Sequence, residues 1–98
     1  MLTIEVATWG ATLFGREHGA AVRRELITQI GDEVDVVLSF KGVDRMSLSF
    51  ADECFGELVD DLARRMTPPH ISFAAATPDA RASLHFVMRE RSVERLSA

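Results

Sequence analysis

The chain has 98 residues and a formal net charge of −4, and 47% of its residues are hydrophobic. This length suits one domain and is too short for two, and the hydrophobic fraction is sufficient for a buried core. The single cysteine, Cys54, excludes an intramolecular disulfide framework and fits reducing surroundings. The acidic balance argues against nucleic acid as a partner, because phosphate binding requires concentrated positive charge.

From the sequence we expect neither a transmembrane helix nor a secretory signal peptide. No apolar run is long enough to cross a membrane, and the first residues lack the pattern of a secretory signal peptide. We therefore expect a cytoplasmic protein that does not bind membranes.

The first third of the chain predicts a strand followed by a helix. Residues Leu2–Thr8 are partly alternating and β-branched, as in a strand, and residues 11–14 form either a second short strand or a loop. From Glu17 to Ile30, apolar residues recur at helical spacing, which predicts an amphipathic helix with one buried stripe. Gly31 follows this helix as a C-terminal stop signal.

The middle of the chain, residues 34–66, predicts the strand and helix on which the other elements pack. Val34–Phe40 contains three consecutive apolar residues, which is typical of a central strand that is covered on both faces. A turn then leads to a helix predicted over Phe50–Met66, and Ser49 with Asp52 has the form of its capping box. The apolar stripe of this helix consists of Ala51, Cys54, Phe55, Leu58, Val59, Leu62 and Met66.

The last third adds one more strand and one more helix. Ile71–Ala75 is a short buried strand, and Thr77 with Pro78 begins a helix that reaches at least Arg89. Strands that alternate with helices imply crossover connections. We therefore predict a single α/β domain, with a mainly parallel or mixed sheet of about four strands and three helices packed on it.

Polar residues at the start of the second helix are the candidates for chemistry. Backbone N–H groups at a helix start attract anions, so Ser47 and Ser49 are candidate phosphoacceptors or anion contacts, unless they serve as helix caps. Asp52 and Glu53 diverge on the helix surface, which favours a role as first-turn charges. An enzyme that used either carboxylate would need a deep pocket and a raised pKa.

No other set of residues specifies a catalyst or a cofactor. Cys54 belongs to an apolar stripe and is expected to be a core thiol. His18, His70 and His85 lack the spacing of metal ligands, and the glycines at residues 10–15 match no nucleotide-binding loop. We therefore predict a protein that is not an enzyme and has neither metal nor cofactor.

The segment VVLSFKGVDRMSLSFADECFGEL, residues 36–58, resembles the STAS-like domains of a family of unknown function, DUF4325. These domains are relatives of the anti-sigma factor antagonists. The segment SFADECFG, residues 49–56, is the most specific part of the resemblance. Residues 14–26 are similar to the loop and first helix of the family, and residues 77–91 to its last helix. The resemblance therefore covers most of the chain.

The resemblance implies a small bacterial signalling domain that binds proteins, found beside or fused to histidine-kinase-type ATPases. In the broader group, such a kinase phosphorylates a serine at the start of the helix after a central strand, and the added charge switches docking. Alignment with the group's Asp-Ser-Ser-Gly pattern places Ser47 at the aspartate, Leu48 at the phosphoserine, Ser49 at the second serine and Phe50 at the glycine. The usual acceptor is absent, so phosphate either moves to Ser49 or Ser47 or is not added.

Two hypotheses about function follow. The first is a regulatory protein-interaction domain whose partner is a kinase-like ATPase or another signalling protein. Its expected contact residues are Asp44, Arg45, Phe50, Asp52 and Glu53, with Phe50 as the apolar anchor. The alternative is a ligand-binding module that takes a nucleotide or another anion at the helix start near Ser49. Two copies could also pair through an exposed strand edge or the last helix.

Overall fold

A computed structural model of the chain describes the backbone of residues 1–97 and the side chains of residues 1–91. Its strands are β1 (Leu2–Glu5), β2 (Thr12–Leu13), β3 (Asp35–Ser39), β4 (Arg45–Met46) and β5 (His70–Ala74). The first and last helices are α1 (Arg16–Ile30) and α3 (Pro78–Ser97). The middle helix, α2, runs without a break through Leu48–Ala51, the π-helical segment Asp52–Gly56 and Glu57–Ala63.

The strands form two separate parallel sheets. In the larger sheet β3 lies between β1 and β5, and Val36 pairs with Leu2 on one side and Ile71 on the other. In the smaller sheet β2 pairs with β4. The α/β class and the central position of β3 are confirmed. The strands divide into three and two instead of about four in one sheet, because the two-residue strands β2 and β4 pair with each other at a distance from β3.

The helices cover only one face of the larger sheet. Its side chains toward the helices are buried or half-buried: Leu2, Ile4, Val36, Leu38, Ile71 and Phe73. On the other face Thr3 and Glu5 are exposed and Val37 is only half-buried. The prediction that β3 is covered on both faces is therefore wrong. A β-branched residue such as Val37 also suits a half-buried sheet surface, so the apolar run does not by itself require a second layer.

The first strand and helix differ little from expectation. β1 ends at Glu5 and not at Thr8, because the chain then turns into a 3₁₀ helix, Val6–Trp9, that buries Val6. α1 buries Val22, Leu26 and Ile30 of its predicted stripe and ends at Ile30. Gly31 follows it as the cap, with a φ of 49° that lies in the left-handed region that glycine adopts readily.

The middle helix is shorter at its end than the apolar pattern predicts. It buries Ala51, Cys54, Phe55, Leu58 and Leu62 as expected. It ends at Ala63, however, so Met66 is fully exposed and does not belong to the buried stripe. The two prolines at 68 and 69 disfavour helical conformation in the preceding residues, which ends the 3.6-residue periodicity before Met66.

The last helix begins as predicted. The Thr77 hydroxyl accepts a hydrogen bond from the Ala80 N–H at 3.2 Å, and Pro78 occupies the first helical position. Ala80, Leu84 and Val87 are buried against the core. None of the helices in residues 1–97 combines the length and the apolar character that crossing a membrane requires.

Candidate functional site

The start of α2 is fixed by a single hydroxyl group. The Ser47 side chain accepts a hydrogen bond from the Phe50 N–H at 3.1 Å and another from the Gly15 N–H at 3.3 Å. Its oxygen also lies 3.1 Å from the Ser49 hydroxyl. The capping box expected at Ser49 is therefore wrong, because Ser49 is already inside the helix and Ser47 is the cap. Ser47 links the start of α2 to the loop before α1.

The first turn of α2 presents Leu48 and Ser49 to the surface. Leu48 is 49% exposed. It occupies the position at which the resemblance places a phosphoserine, so an apolar side chain replaces a phosphorylated one at the surface. Ser49 is half-buried, and among the described side chains its hydroxyl contacts only Ser47. Ser49 is therefore the hydroxyl whose loss would leave the helix start intact.

Phe50 does not have the role expected of it. Its side chain is fully buried, where it packs edge-on against His18 at 5.3 Å and against Phe55 at 6.1 Å between ring centroids. The prediction that Phe50 anchors a partner is wrong, because α1 covers the ring. Leu48 is the apolar side chain that this turn exposes.

Asp52 and Glu53 point to different arginines. Asp52 contacts Arg16 of α1 and Arg91 of α3, each at 2.7 Å, and Glu53 contacts Arg23 of α1 at 2.7 Å. The hydrogen bond from Arg16 is the main cause that lowers the pKa of Asp52 below its ordinary value, and Arg91 lowers it further. Partial burial of the carboxylate acts in the opposite direction but is outweighed. A general acid would need a raised pKa, and the pKa of Asp52 is shifted in the opposite direction.

Arg91 is a buried cation that the sequence analysis missed. It is 9% exposed, and besides Asp52 it contacts Glu57 at 3.2 Å and Asp60 at 3.0 Å. Gly56 makes room for it, because a β-carbon there would lie 2.5 Å from the central guanidinium carbon of Arg91. Arg91 follows Val87 at a spacing of four residues on the buried stripe of α3. This helical spacing is the sequence feature that could have predicted the burial of Arg91.

The π-helical segment of α2 sets the directions of these side chains. A π turn adds one residue to a helical turn and is frequent at functional sites. α1 packs closely against this segment at Gly19, where a β-carbon would lie 3.0 Å from the Phe50 carbonyl oxygen and 3.2 Å from the Glu53 β-carbon. This close approach brings Arg16 and Arg23 within reach of the two carboxylates.

A groove of about 470 Å³ lies between the first turns of α2 and the middle of α3. We call it the α2–α3 groove, and its main lining residues are Arg16, Leu48, Ser49, Asp52, Phe86 and Glu90. Phe86 is 53% exposed and faces the same opening as Leu48. The carboxylates of Asp52 and Glu90 are balanced by the guanidinium groups of Arg16 and Arg91, so the lining has no net positive charge that would favour the nucleotide or anion module considered from the sequence.

The other expected contact residues lie elsewhere. Asp44 and Arg45 are exposed beside the β2–β4 pair, where the Asp44 N–H donates to the Ala11 carbonyl at 2.7 Å and the Asp44 carbonyl accepts from Thr77 at 3.2 Å. Glu53 is directed toward Arg23. Of the five expected partner contacts, only Asp52 lines the α2–α3 groove.

The cysteine and the histidines offer no reactive centre within the described residues. Cys54 is fully buried, and burial raises the pKa of its thiol far above the ordinary range, so the predicted core role is confirmed. No group of three or more histidine, cysteine, aspartate or glutamate side chains in that part of the chain is placed to hold a metal ion.

Comparison with known proteins decides the family. The family model described as a STAS-like domain of unknown function, DUF4325, matches residues 18–80, which is well over half of the chain. The chain belongs to this family. No curated protein and no solved structure matches it significantly.

The matched region includes only part of the site. Ser47, Ser49 and Asp52 of the STAS-like domain lie inside the match, whereas Arg16 precedes it and Phe86 follows it. The start of α2 therefore belongs to the family region, and the α3 side of the groove is contributed by residues beyond the match.

Proposed function

We propose that this STAS-like domain is a non-enzymatic regulatory module that binds another signalling protein through the α2–α3 groove. The observation that supports this proposal is the pair of exposed apolar side chains, Leu48 and Phe86, on opposite walls of the groove. Exposed apolar residues bordered by charged residues are typical of protein contact sites. Arg16 and Glu90 provide that charged border.

The expected partner is a histidine-kinase-type ATPase. This expectation rests on the family, since related STAS domains act with such kinases, and on the position of the groove at the start of the helix that those domains present. Leu48 replaces the usual phosphoserine with an apolar side chain that can itself be buried in a complex. Docking would then not require phosphate at that position.

Photo-crosslinking tests the surface. A photoreactive residue is placed at position 48, 86 or, as a control, 66, because Met66 is fully exposed and lies outside the groove. We expect positions 48 and 86 to capture the same protein in the native cell and position 66 not to capture it. Equal capture from all three positions would contradict the proposed surface.

Binding measurements with the captured protein test the apolar anchors. Leu48→Asp and Phe86→Asp are each expected to weaken the affinity at least tenfold, or by about 1.4 kcal/mol, because a charge replaces a buried contact. Val34→Asp, at a position that is 69% exposed and outside the groove, is the matched control and should bind normally. Unchanged affinity for both groove variants would overturn the proposed surface. A captured protein without an ATPase domain would show that the partner is not a histidine-kinase-type ATPase.

Ser49 is the candidate phosphoacceptor within this proposal. Its hydroxyl is not the cap, and it lies in the first turn of α2, where negative charge is favourable. When the protein is incubated with the captured ATPase and ATP, a mass increase of one phosphate should appear and should be lost in Ser49→Ala. Persistence of the phosphate in that variant would exclude Ser49.

A further inference from the structure

A second apolar groove lies on the other side of α3, beside the edge of the larger sheet. β5 is an edge strand, since β3 is its only partner within residues 1–97. Two adjoining cavities of about 340 and 280 Å³ run along it and share Phe73 and Met88. Their apolar walls include Val59, Ala63, Ile71, Phe73, Leu84 and Met88. We call this region the β5 groove.

The backbone of β5 has hydrogen-bonding groups on the edge away from β3. The His70 N–H donates to the Val34 carbonyl at 2.7 Å, and the Ala74 carbonyl accepts from the Phe40 N–H at 2.8 Å. Because alternate residues of a parallel strand bond to one neighbour, the N–H and C=O groups of Ile71 and Phe73 point away from β3. No described group bonds to them. The strand therefore offers two donors and two acceptors to an added strand.

The charges around the β5 groove differ from those of the whole chain. The chain carries a net charge of −4, yet no carboxylate lines either cavity. The charged lining residue is Arg81, near the first turns of α3, and His85 lies one turn further along. This arrangement favours an apolar segment that carries a negative charge at the Arg81 end.

We propose that the free edge of β5 binds an extended segment of another protein by strand addition, with apolar side chains in the β5 groove and an acidic residue near Arg81. This contact is additional to the one proposed at the α2–α3 groove, because the two grooves lie on different sides of α3. A second copy that paired through its own β5 groove would bring another Arg81 and no carboxylate, so it would not supply the acidic residue.

Amide hydrogen exchange with a model peptide tests this contact. The probe is a synthetic peptide of about ten residues in which valine and threonine alternate and two aspartates occupy one end. Strand addition depends mainly on backbone hydrogen bonds, so we expect measurable binding of this generic sequence at about 1 mM. Exchange at Ile71 and Phe73 should then slow by about tenfold, as their amides gain partners. Unchanged exchange at both residues would overturn the proposal.

N-methylated peptides distinguish strand addition from simple apolar binding. Two versions of the probe are methylated on alternate sets of amides, so only one set of methyl groups faces β5. One version should fail to protect Ile71 and Phe73, and the other should act like the parent peptide. Equal protection by both versions would show that backbone pairing is not the cause and would contradict the proposal.

Matched arginine variants test the charge at the end of the groove. Arg81→Glu should weaken peptide binding several-fold, whereas Arg89→Glu should not, because Arg89 is exposed on the same helix and lies outside the groove. Equal affinity for all three proteins would remove Arg81 from the contact. As a further control, amide exchange is measured without peptide at increasing protein concentration. If exchange at Ile71 and Phe73 slows under these conditions, the edge of β5 pairs with a second copy, which would contradict the proposal.

Discussion

Ser47 and Ser49 have the same side chain and lie two residues apart, yet only the Ser47 hydroxyl accepts hydrogen bonds from the backbone. The Ser47 hydroxyl satisfies two backbone N–H groups, one at the start of α2 and one before α1. Among the described residues, the Ser49 hydroxyl forms a hydrogen bond with the Ser47 hydroxyl but with no backbone group. The difference arises because α2 begins at Leu48, which makes Ser47 the last residue outside the helix.

Alanine variants of the two serines should therefore differ in stability. Ser47→Ala is expected to lower the free energy of unfolding by about 1 kcal/mol, because the N-cap and its second acceptor bond are lost. Ser49→Ala should change it by less than about 0.5 kcal/mol. Urea denaturation of the two variants measures the difference. A larger effect at Ser49 would place the cap at Ser49.

Helix α2 is the element on which the site depends, and its packing against α1 is unusually close. The contact occurs at Gly19, where an added β-carbon would lie only 3.0 Å from the Phe50 carbonyl oxygen and 3.3 Å from the Cys54 nitrogen. Arg16 and Arg23 of α1 pair with Asp52 and Glu53 across this close contact. The close packing at Gly19 and the charge pairs of the site therefore lie at the same helix contact.

Gly19→Ala tests this close packing. In an unhindered helix the exchange stabilises by about 1 kcal/mol, because alanine favours helix more than glycine does. Here the added methyl group would meet the Phe50 carbonyl oxygen at 3.0 Å, and we expect a loss of about 1 to 3 kcal/mol from forced separation of the helices. Chemical denaturation measures the sign. A stabilised variant would mean that α1 and α2 are further apart than described.

Across the whole molecule, Asp52 connects the three helices. It lies on α2 and forms ion pairs with Arg16 of α1 and Arg91 of α3. Arg91 in turn contacts Glu57 and Asp60, so the second half of α3 is held against α2 by charge as well as by apolar packing. A buried cation that lost its carboxylates would be strongly unfavourable, which makes this network sensitive to protonation.

Stability should accordingly fall at acidic pH. The pKa of Asp52 is lower in the folded protein than in the unfolded chain, so the unfolded state takes up its proton first as the pH falls below about 4. The stabilisation by Asp52 is present above that pH and is lost as the pH falls through the folded value. Asp52→Asn should therefore show a weaker pH dependence than the wild type below about pH 4.

Denaturation curves at several pH values measure this dependence. Asp44→Asn is the matched control, because Asp44 is exposed and forms no ion pair with a described side chain. That variant should follow the wild type. Identical pH profiles for Asp52→Asn and the wild type would contradict a role of the three-helix connection in acid stability.

The order and type of the main elements could be predicted from the sequence, because three local signals marked them. Helical periodicity placed α1 and assigned Cys54 to the core, short apolar runs placed β3 and β5, and the Thr77–Pro78 cap placed the start of α3. The helical pattern was less accurate at the end of α2, where Pro68 and Pro69 stop the helix before Met66. It also did not indicate β4 or the π turn, since two-residue strands and one added residue leave no periodic trace.

The site depended on tertiary contacts that the sequence does not display. Arg91 and Asp52 are 39 residues apart, and neither position indicates the other. Phe50 was expected to anchor a partner at the start of α2, but its ring is fully buried against His18 of α1. The sequence by itself determined an α/β domain of the STAS-like kind with serines at the start of α2. Only the tertiary structure decided which serine is the cap, which apolar side chains are exposed and which edge of the sheet is free, because these properties depend on how separate elements pack against each other.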